Sequence, residues 1–145
     1  MRNFAPMLTS YSMLHTHTDL LRMRSNVAIS SEPWTSDYNA LRDDSLSSLT
    51  RSMSGPLPYF ERNQTGSQTG LAQIIADGRA AINLALMYFI TQDTDYAIKS
   101  RDILDAWSST LSSIGGTDRQ LGASLPGINL VNAVCTSLEL KPLAF

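Results

Sequence analysis

The sequence predicts an all-α fold built of antiparallel helical hairpins. Apolar residues recur at three- and four-residue steps over several long stretches, which is the spacing of one face of a helix. No stretch alternates apolar and polar residues with β-branched enrichment, so strands are not expected. Gly, Ser and Pro residues separate the helical stretches, and one connection is so short that the helices it joins must run antiparallel.

Two short helices are predicted first. The T-x-x-D pattern from Thr16 to Asp19 is typical of a helix start, with Thr16 or Thr18 as the cap of a helix over about 18–29. Pro33 suits the first turn of the second helix. Its apolar positions are Trp34, Tyr38, Leu41 and Leu46.

Two long helices follow an irregular connection over residues 50–70. Residues 71–90 form the strongest helix, and from Ala80 to Ile90 only one residue is polar, so this part should be a buried core helix rather than a membrane span. Thr94 or Asp93 can cap the next helix, over 94–114, and Gly115-Gly116 should end it.

A last helical region is predicted over about 119–138. Pro126 lies inside it and implies a break or a restart, with Ser124 as the new cap. No exact internal repeat is present, and the Trp/Leu/Gly/Tyr pattern of a tetratricopeptide unit is missing.

Composition, net charge and cysteine count exclude several classes of protein and of site. The 145 residues fit one domain, with 43% hydrophobic and 17% charged residues, as in a folded chain. A net charge of -2 gives no sign of a nucleic-acid partner. The single cysteine, Cys135, excludes an internal disulfide and a zinc site built on several cysteines, and is expected to be a small buried side chain. Residues 1–14 make a poor signal peptide.

The stretch HTHTDL, residues 15–20, resembles the first ligands of a zinc hydrolase. His15, His17 and Asp19 lie at alternate positions, which converge only on an extended strand, whereas this stretch is predicted to begin a helix. No third histidine is present. We therefore expect helix caps and no metal site.

The loop over residues 61–70, ERNQTGSQTG, is the best candidate for binding. Its polar side chains could bind a carboxylate or hydroxyls, with glycines permitting movement, although a solvated surface loop has the same composition. The candidate substrate-binding residues are Arg62, Asn63, Gln64 and Gln68. Asn63-Gln64-Thr65 is also a glycosylation sequon, which matters only in a protein secreted by a eukaryote.

Other groups of residues that could bind sugar or carry out catalysis are better explained by packing or by solvent exposure. Four aromatic residues could form a sugar-stacking platform, but their helical spacing favours core packing. They are Trp34, Tyr38, Tyr96 and Trp107. Asp102 and Asp105 could be a carboxylate pair, but beside Lys99 and Arg101 they are better explained as a solvated helix face. Nucleophilic catalysis has little support, because no serine lies in a G-x-S-x-G elbow.

Several separated blocks resemble the N-terminal portion of alginate lyase domain proteins. These are L-H-T-x-x-D-L-x-R-M-R over residues 14–24, E-P-W over 32–34, residues 80–97, and I-L-D-A-W-S over 103–108. A further block lies within 120–133, so the resemblance covers roughly 13–134. On this basis residues 1–12 are an irregular segment, and 13–145 are a truncated N-terminal part of the lyase-like helical domain.

The resemblance implies an incomplete (α/α) toroid from a polysaccharide lyase that cleaves a uronic-acid polymer by β-elimination. It implies a polyuronide substrate, no cofactor or metal, and a secreted or periplasmic location. The net charge of -2 and the lack of a long apolar run predict neither nucleic acid nor membrane as partner. In the family an Asn-His pair, an Arg and a Tyr or His do the chemistry. This chain has no Asn-His dipeptide, so no catalytic residue is assigned and the chain itself is expected to be inactive. A non-catalytic helical module that binds sugar or a partner remains the alternative.

Overall fold

The computed structural model of the chain describes residues 14–138, and the predicted irregular segment 1–12 lies outside them. Helices dominate this part of the chain, which confirms the helical fold class. The helices are α1 (His17–Ala28), α2 (Trp34–Asp43), α3 (Leu71–Thr91), α4 (Thr94–Thr110) and α5 (Arg119–Leu138). The remaining elements are a 3₁₀ turn (Ser45–Ser47) and the strands β1 (Tyr59–Arg62), β2 (Gln68–Thr69) and β3 (Ser113–Gly115).

Of the two caps predicted for α1, Thr16 is the one that the structure has, and it forms a capping box with Asp19. The Thr16 hydroxyl accepts a hydrogen bond from the Asp19 backbone N–H at 3.1 Å, and the Asp19 carboxylate accepts one from the Thr16 N–H at 3.1 Å. Two backbone donors that the helix leaves unpaired are satisfied in this way. Asp93 similarly caps α4 by accepting from the Asp95 N–H.

Helix α3 is the centre of the fold. Eleven of its 21 residues are buried, because α4 packs antiparallel against one side and α5 against another. Close approach to α5 occurs at Gly78, where an added Cβ would lie 3.3 Å from the Cβ of Asn129. By length and composition alone α3 could also cross a membrane, a test that core helices pass as well. Its burial against α4 and α5 is the packing predicted for a core helix.

A small sheet was not predicted. Its strand order is β2-β1-β3, with β1 antiparallel to β2 and parallel to β3. Phe60 in β1 is fully buried and fixes the sheet to the helical core. The expectation that strands are missing is therefore wrong, because these strands of two to four residues are too short to show an alternating pattern.

Two predicted boundaries are also wrong. Helix α4 ends at Thr110 rather than at the glycine pair, because the N–H groups of Ser112 and Ser113 donate to the Pro58 carbonyl and draw the chain beside β1. Helix α5 continues through Pro126 without a restart, and the Ser124 hydroxyl donates to the Gln120 carbonyl instead of capping. Pro126 is itself buried, so tertiary packing outweighs its local preference.

Candidate functional site

The four predicted site residues lie on the hairpin formed by β1 and β2. Arg62 ends β1, Gln68 begins β2, and Asn63 and Gln64 lie in the turn between them. The turn is closed by hydrogen bonds from the Gly66 N–H to the Asn63 carbonyl at 3.0 Å and from the Asn63 N–H to the Ser67 carbonyl at 3.1 Å. The structure thus brings all four into one short segment, which we call the polar hairpin (residues 59–69).

Arg62 is held by the chain itself. Its guanidinium forms an ion pair with Asp118, and its backbone carbonyl accepts a hydrogen bond from the Asp118 N–H at 3.0 Å. Both side chains are 24% exposed. The positive charge of Arg62 is therefore matched at the start of α5, which reduces its value for binding a substrate carboxylate.

Asn63 binds the same segment. Its Oδ1 accepts hydrogen bonds from the Thr117 N–H at 2.9 Å and from the Thr117 hydroxyl at 3.4 Å. The Gln64 backbone N–H donates to the Thr117 hydroxyl at 3.1 Å. Asn63 and Arg62 together fasten the polar hairpin to residues 116–118, and this structural role was not visible in the sequence.

Gly116 makes this attachment possible. Its φ of +94° lies in the left-handed region, and a Cβ added there would collide with the backbone of Arg62. A glycine removes both the conformational penalty and the collision. Gly116 was assigned to a helix end by sequence, but it is a point of close contact between the end of β1 and the segment that leads into α5.

The exposed part of the polar hairpin carries amides and one carboxylate. The side chains of Gln64 and Gln68 are exposed. Glu61 accepts hydrogen bonds from the Tyr59 hydroxyl at 2.8 Å and the Thr69 hydroxyl at 3.3 Å, and the bond to Glu61 raises the pKa of Tyr59. The charges of Arg62 and Glu61 oppose each other, so this surface can offer hydrogen bonds to hydroxyls but little net attraction for an anion.

A buried carboxylate that sequence analysis missed lies between α3, α4 and the segment 51–55. Asp77 in α3 is fully buried and accepts hydrogen bonds from the N–H groups of Ser54 and Gly55 at 2.9 Å each and from Trp107 Nε1 at 2.9 Å. Arg51 forms an ion pair with it at 2.9 Å. Burial alone would raise the pKa of Asp77, but these hydrogen bonds outweigh it and hold the pKa below its ordinary value. The sequence did contain a signal for this carboxylate, because Asp77 lies three residues after Ile74, at the spacing of the buried face of the helix.

The aromatic residues do not form one platform. Trp107 is buried in the core, as the helical spacing favoured, whereas Trp34 and Tyr38 are half-buried on α2. The Arg22 guanidinium lies 5.6 Å from the Trp34 ring centre, and that of Arg42 lies 6.0 Å from Tyr38. Tyr96 is half-buried and packs against the core that contains Trp107. The structure therefore separates the four aromatic residues into two that belong to the core packing and a surface pair already in contact with cations.

An apolar groove of about 450 Å³ runs between α4 and α5. Leu104 in α4 and Leu111 directly after it line one side, Val131 and Val134 in α5 line the other, and Trp107 lies among them. Beside it α5 exposes five large apolar side chains, which we call the α5 stripe. They are Leu121, Leu125, Ile128, Val131 and Val134, each between 42% and 54% exposed.

The acidic residues considered for catalysis or metal binding have local partners. Asp19 binds Arg22 at 2.8 Å in addition to capping α1. Asp102 and Asp105 are exposed beside Arg101, at 3.5 and 3.9 Å. Within residues 14–138, no three His, Cys, Asp or Glu residues are grouped as metal ligands would be.

Together the fold and the hairpin define a mostly helical domain with an uncharged polar tip and an apolar face that no other element of the described part of the chain covers. No family model, curated protein or solved structure matches this chain. The likeness to alginate lyase domains therefore depends on the sequence blocks alone. In the structure, the block over 14–24 forms the capping box of α1, and the block over 103–108 supplies the buried Ile103 and Trp107.

Proposed function

We propose that this chain forms part of the helical domain of a polysaccharide lyase that cleaves a uronic-acid polymer, and that it contributes scaffold rather than proton-transfer groups. The observation that carries the proposal is the apolar face formed by the α5 stripe and the adjacent groove, which no other element within residues 14–138 covers. Folded domains rarely leave a contiguous apolar surface of this kind open to water. In a toroid of helical hairpins, the neighbouring hairpin would pack on this face.

The packing of the long helices supports the same proposal. Helices α3 and α4 form an antiparallel hairpin joined by two residues, and α5 begins at the sheet, beside the start of α3. The three helices thus alternate in direction, as successive helices of stacked hairpins do. The lyase part of the proposal comes from the sequence resemblance over residues 14–24 and 103–108.

The chemistry of β-elimination gives a reason to expect inactivity. A lyase must neutralise the sugar carboxylate and provide a base for the C5 proton and an acid for the leaving oxygen. On the polar hairpin the cation of Arg62 is already paired with Asp118, and Glu61 adds negative charge nearby. A polyuronide would meet no preorganised positive site there.

A product assay tests this proposal. The purified 145-residue chain would be incubated with alginate and other polyuronides while the ultraviolet absorbance of the unsaturated product is followed, with an active alginate lyase as the positive control. We expect no increase above that of a heat-denatured sample. Turnover by the folded chain would show that it holds a complete active site and would contradict the scaffold role.

A non-catalytic sugar-binding module is the second candidate. The exposed amides of Gln64 and Gln68 favour it, because amides bind hydroxyls without requiring charge. Calorimetric titration with oligosaccharides would compare the Gln64→Ala and Gln68→Ala variants with Ser109→Ala, an exposed position on α4. These variants test binding more cleanly than changes at Arg62 or Asn63, which would also detach the hairpin. If binding is equal in all three, the hairpin is not the binding surface.

A further inference from the structure

The sequon Asn63-Gln64-Thr65 lies at the tip of the polar hairpin, and neither candidate function accounts for it. It is the only N-x-S/T sequence among the 145 residues. Gln64, Thr65, Gly66 and Ser67 are all exposed, and nothing lies within 4 Å of a Cβ built on Gly66. The space around the turn is therefore open on the side away from residues 116–118.

The Asn63 side chain is half-buried, and its contact with Thr117 fixes which end of the amide is engaged. Its Oδ1 must be the atom that faces Thr117, because the Thr117 N–H can only donate. The other branch of the planar amide, Nδ2, takes no part in the hydrogen bonds that fasten the hairpin. Replacing one hydrogen on Nδ2 leaves the accepting capacity of Oδ1 intact, so a substituent on Nδ2 is compatible with the folded hairpin.

We propose that Asn63 is an N-glycosylation site, occupied when the chain passes through a secretory pathway that transfers oligosaccharides to asparagine. The inference does not depend on the lyase proposal, because it needs only the sequon, the geometry of the hairpin and export. The donor is an oligosaccharide linked through pyrophosphate to a lipid. Asn63 Nδ2 attacks the anomeric carbon of the donor, a C–N bond forms, and the bond from that carbon to the pyrophosphate oxygen breaks. The lipid pyrophosphate leaves with the electron pair, and Nδ2 loses one proton.

The position of the glycan has a consequence for recognition. A glycan on Asn63 would project beside Gln64, the amide that the sugar-binding candidate requires. Occupancy should therefore weaken binding of a polysaccharide through this hairpin, while an unmodified chain keeps the amides accessible. Measuring polysaccharide binding by the glycosylated and the unmodified chain therefore tests the candidate binding surface separately from the glycan site.

Expression of the full chain behind a cleavable leader in a secreting yeast tests the proposal. Intact-mass measurement before and after peptide-N-glycosidase treatment, together with mapping of the peptide that contains Asn63, reports occupancy. We expect one glycan on most secreted molecules. Asn63→Gln and Thr65→Ala should abolish it, and Thr65→Ser should retain it.

Thr65→Ala is the sharper variant, because Thr65 is exposed at the tip of the turn and Asn63 remains free to bind Thr117. Its circular dichroism and thermal unfolding should match those of the original chain. If the chain with its original sequence were secreted and folded but carried no glycan on Asn63, the proposal would be overturned. So would a glycan found only on protein that is trypsin-sensitive, since the folded hairpin would then exclude it.

Discussion

At the scale of single residues, Gly116 and Gly66 offer a matched pair. Both have positive φ, +94° and +87°, but only Gly116 lies against the Arg62 backbone. Alanine at either position should lower the free energy of unfolding by about 1–2 kcal/mol through the left-handed conformation alone. Gly116→Ala should lower it further through the collision, as urea unfolding would show. Equal losses in the two variants would mean that the segment around Gly116 moves away from the Arg62 backbone without a cost in stability.

Asp77 should make stability depend on pH. Its pKa is lower in the folded chain than the ordinary value of 3.8, so its contribution is fully present above that value and is lost as the pH falls through the folded pKa. Asp77→Asn should cost roughly 3–5 kcal/mol at neutral pH, because it leaves the largely buried Arg51 without its counter-charge. The variant should also lose much of the acid dependence.

Urea unfolding between pH 2.5 and 7 would measure both effects of Asp77→Asn. The matched control is Asp102→Asn, an exposed aspartate on α4, which should change stability by less than about 0.5 kcal/mol. If the two variants behaved alike, the Asp77 hydrogen bonds would not be a source of stability.

At the scale of elements, the α5 stripe should cause the isolated chain to self-associate. Leu125→Glu and Ile128→Glu place charge on its exposed centre and should reduce the mean mass seen by light scattering. Their unfolding free energies should change by less than about 1 kcal/mol, because both side chains are already about half exposed. Ile98→Glu, an exposed site on α4, is the control. A similar drop in mass for Ile98→Glu would assign the association to general hydrophobicity instead.

The helices could be predicted because their signals are local. The apolar spacing predicted α3 to within one residue, and the T-x-x-D pattern limited the cap of α1 to Thr16 or Thr18, of which the structure has Thr16. The end of α4 depends instead on the Pro58 carbonyl, a partner 54 residues away from Ser112. The continuity of α5 through Pro126 depends on burial. Sequence spacing carries no information about either contact.

At the scale of the whole molecule, stability should be uneven. Helix α1 buries only Leu20 and α2 buries no residue fully, whereas α3 is buried along most of its length. Amides in α2 should therefore exchange with deuterium at least about tenfold faster than those in the buried part of α3, because local opening there exposes little apolar surface. Mass spectrometry of peptides from the two helices would show it. Comparable protection would indicate that the domain opens only as a unit.

The candidate site could be predicted only in part. The sequence indicated a polar loop, and the structure places Arg62, Asn63, Gln64 and Gln68 together on it. The sequence could not indicate that Asp118 already binds Arg62 and that Thr117 already binds Asn63, because these partners lie more than fifty residues away. Composition shows which groups a loop offers, but only the fold shows which remain available.

The pairing of β1 with β3 has a consequence for the order in which the chain assembles. It joins the two ends of a long excursion, since Ser112 and Pro58 are 54 residues apart. Closing a flexible loop of that length costs about 3.5 kcal/mol in chain entropy, whereas each backbone hydrogen bond returns only about 1 kcal/mol. The three-residue strand β3 cannot meet that cost alone. We therefore expect the α3–α4 hairpin, which lies between these ends, to bring them together first, so that the sheet forms after the helices have docked.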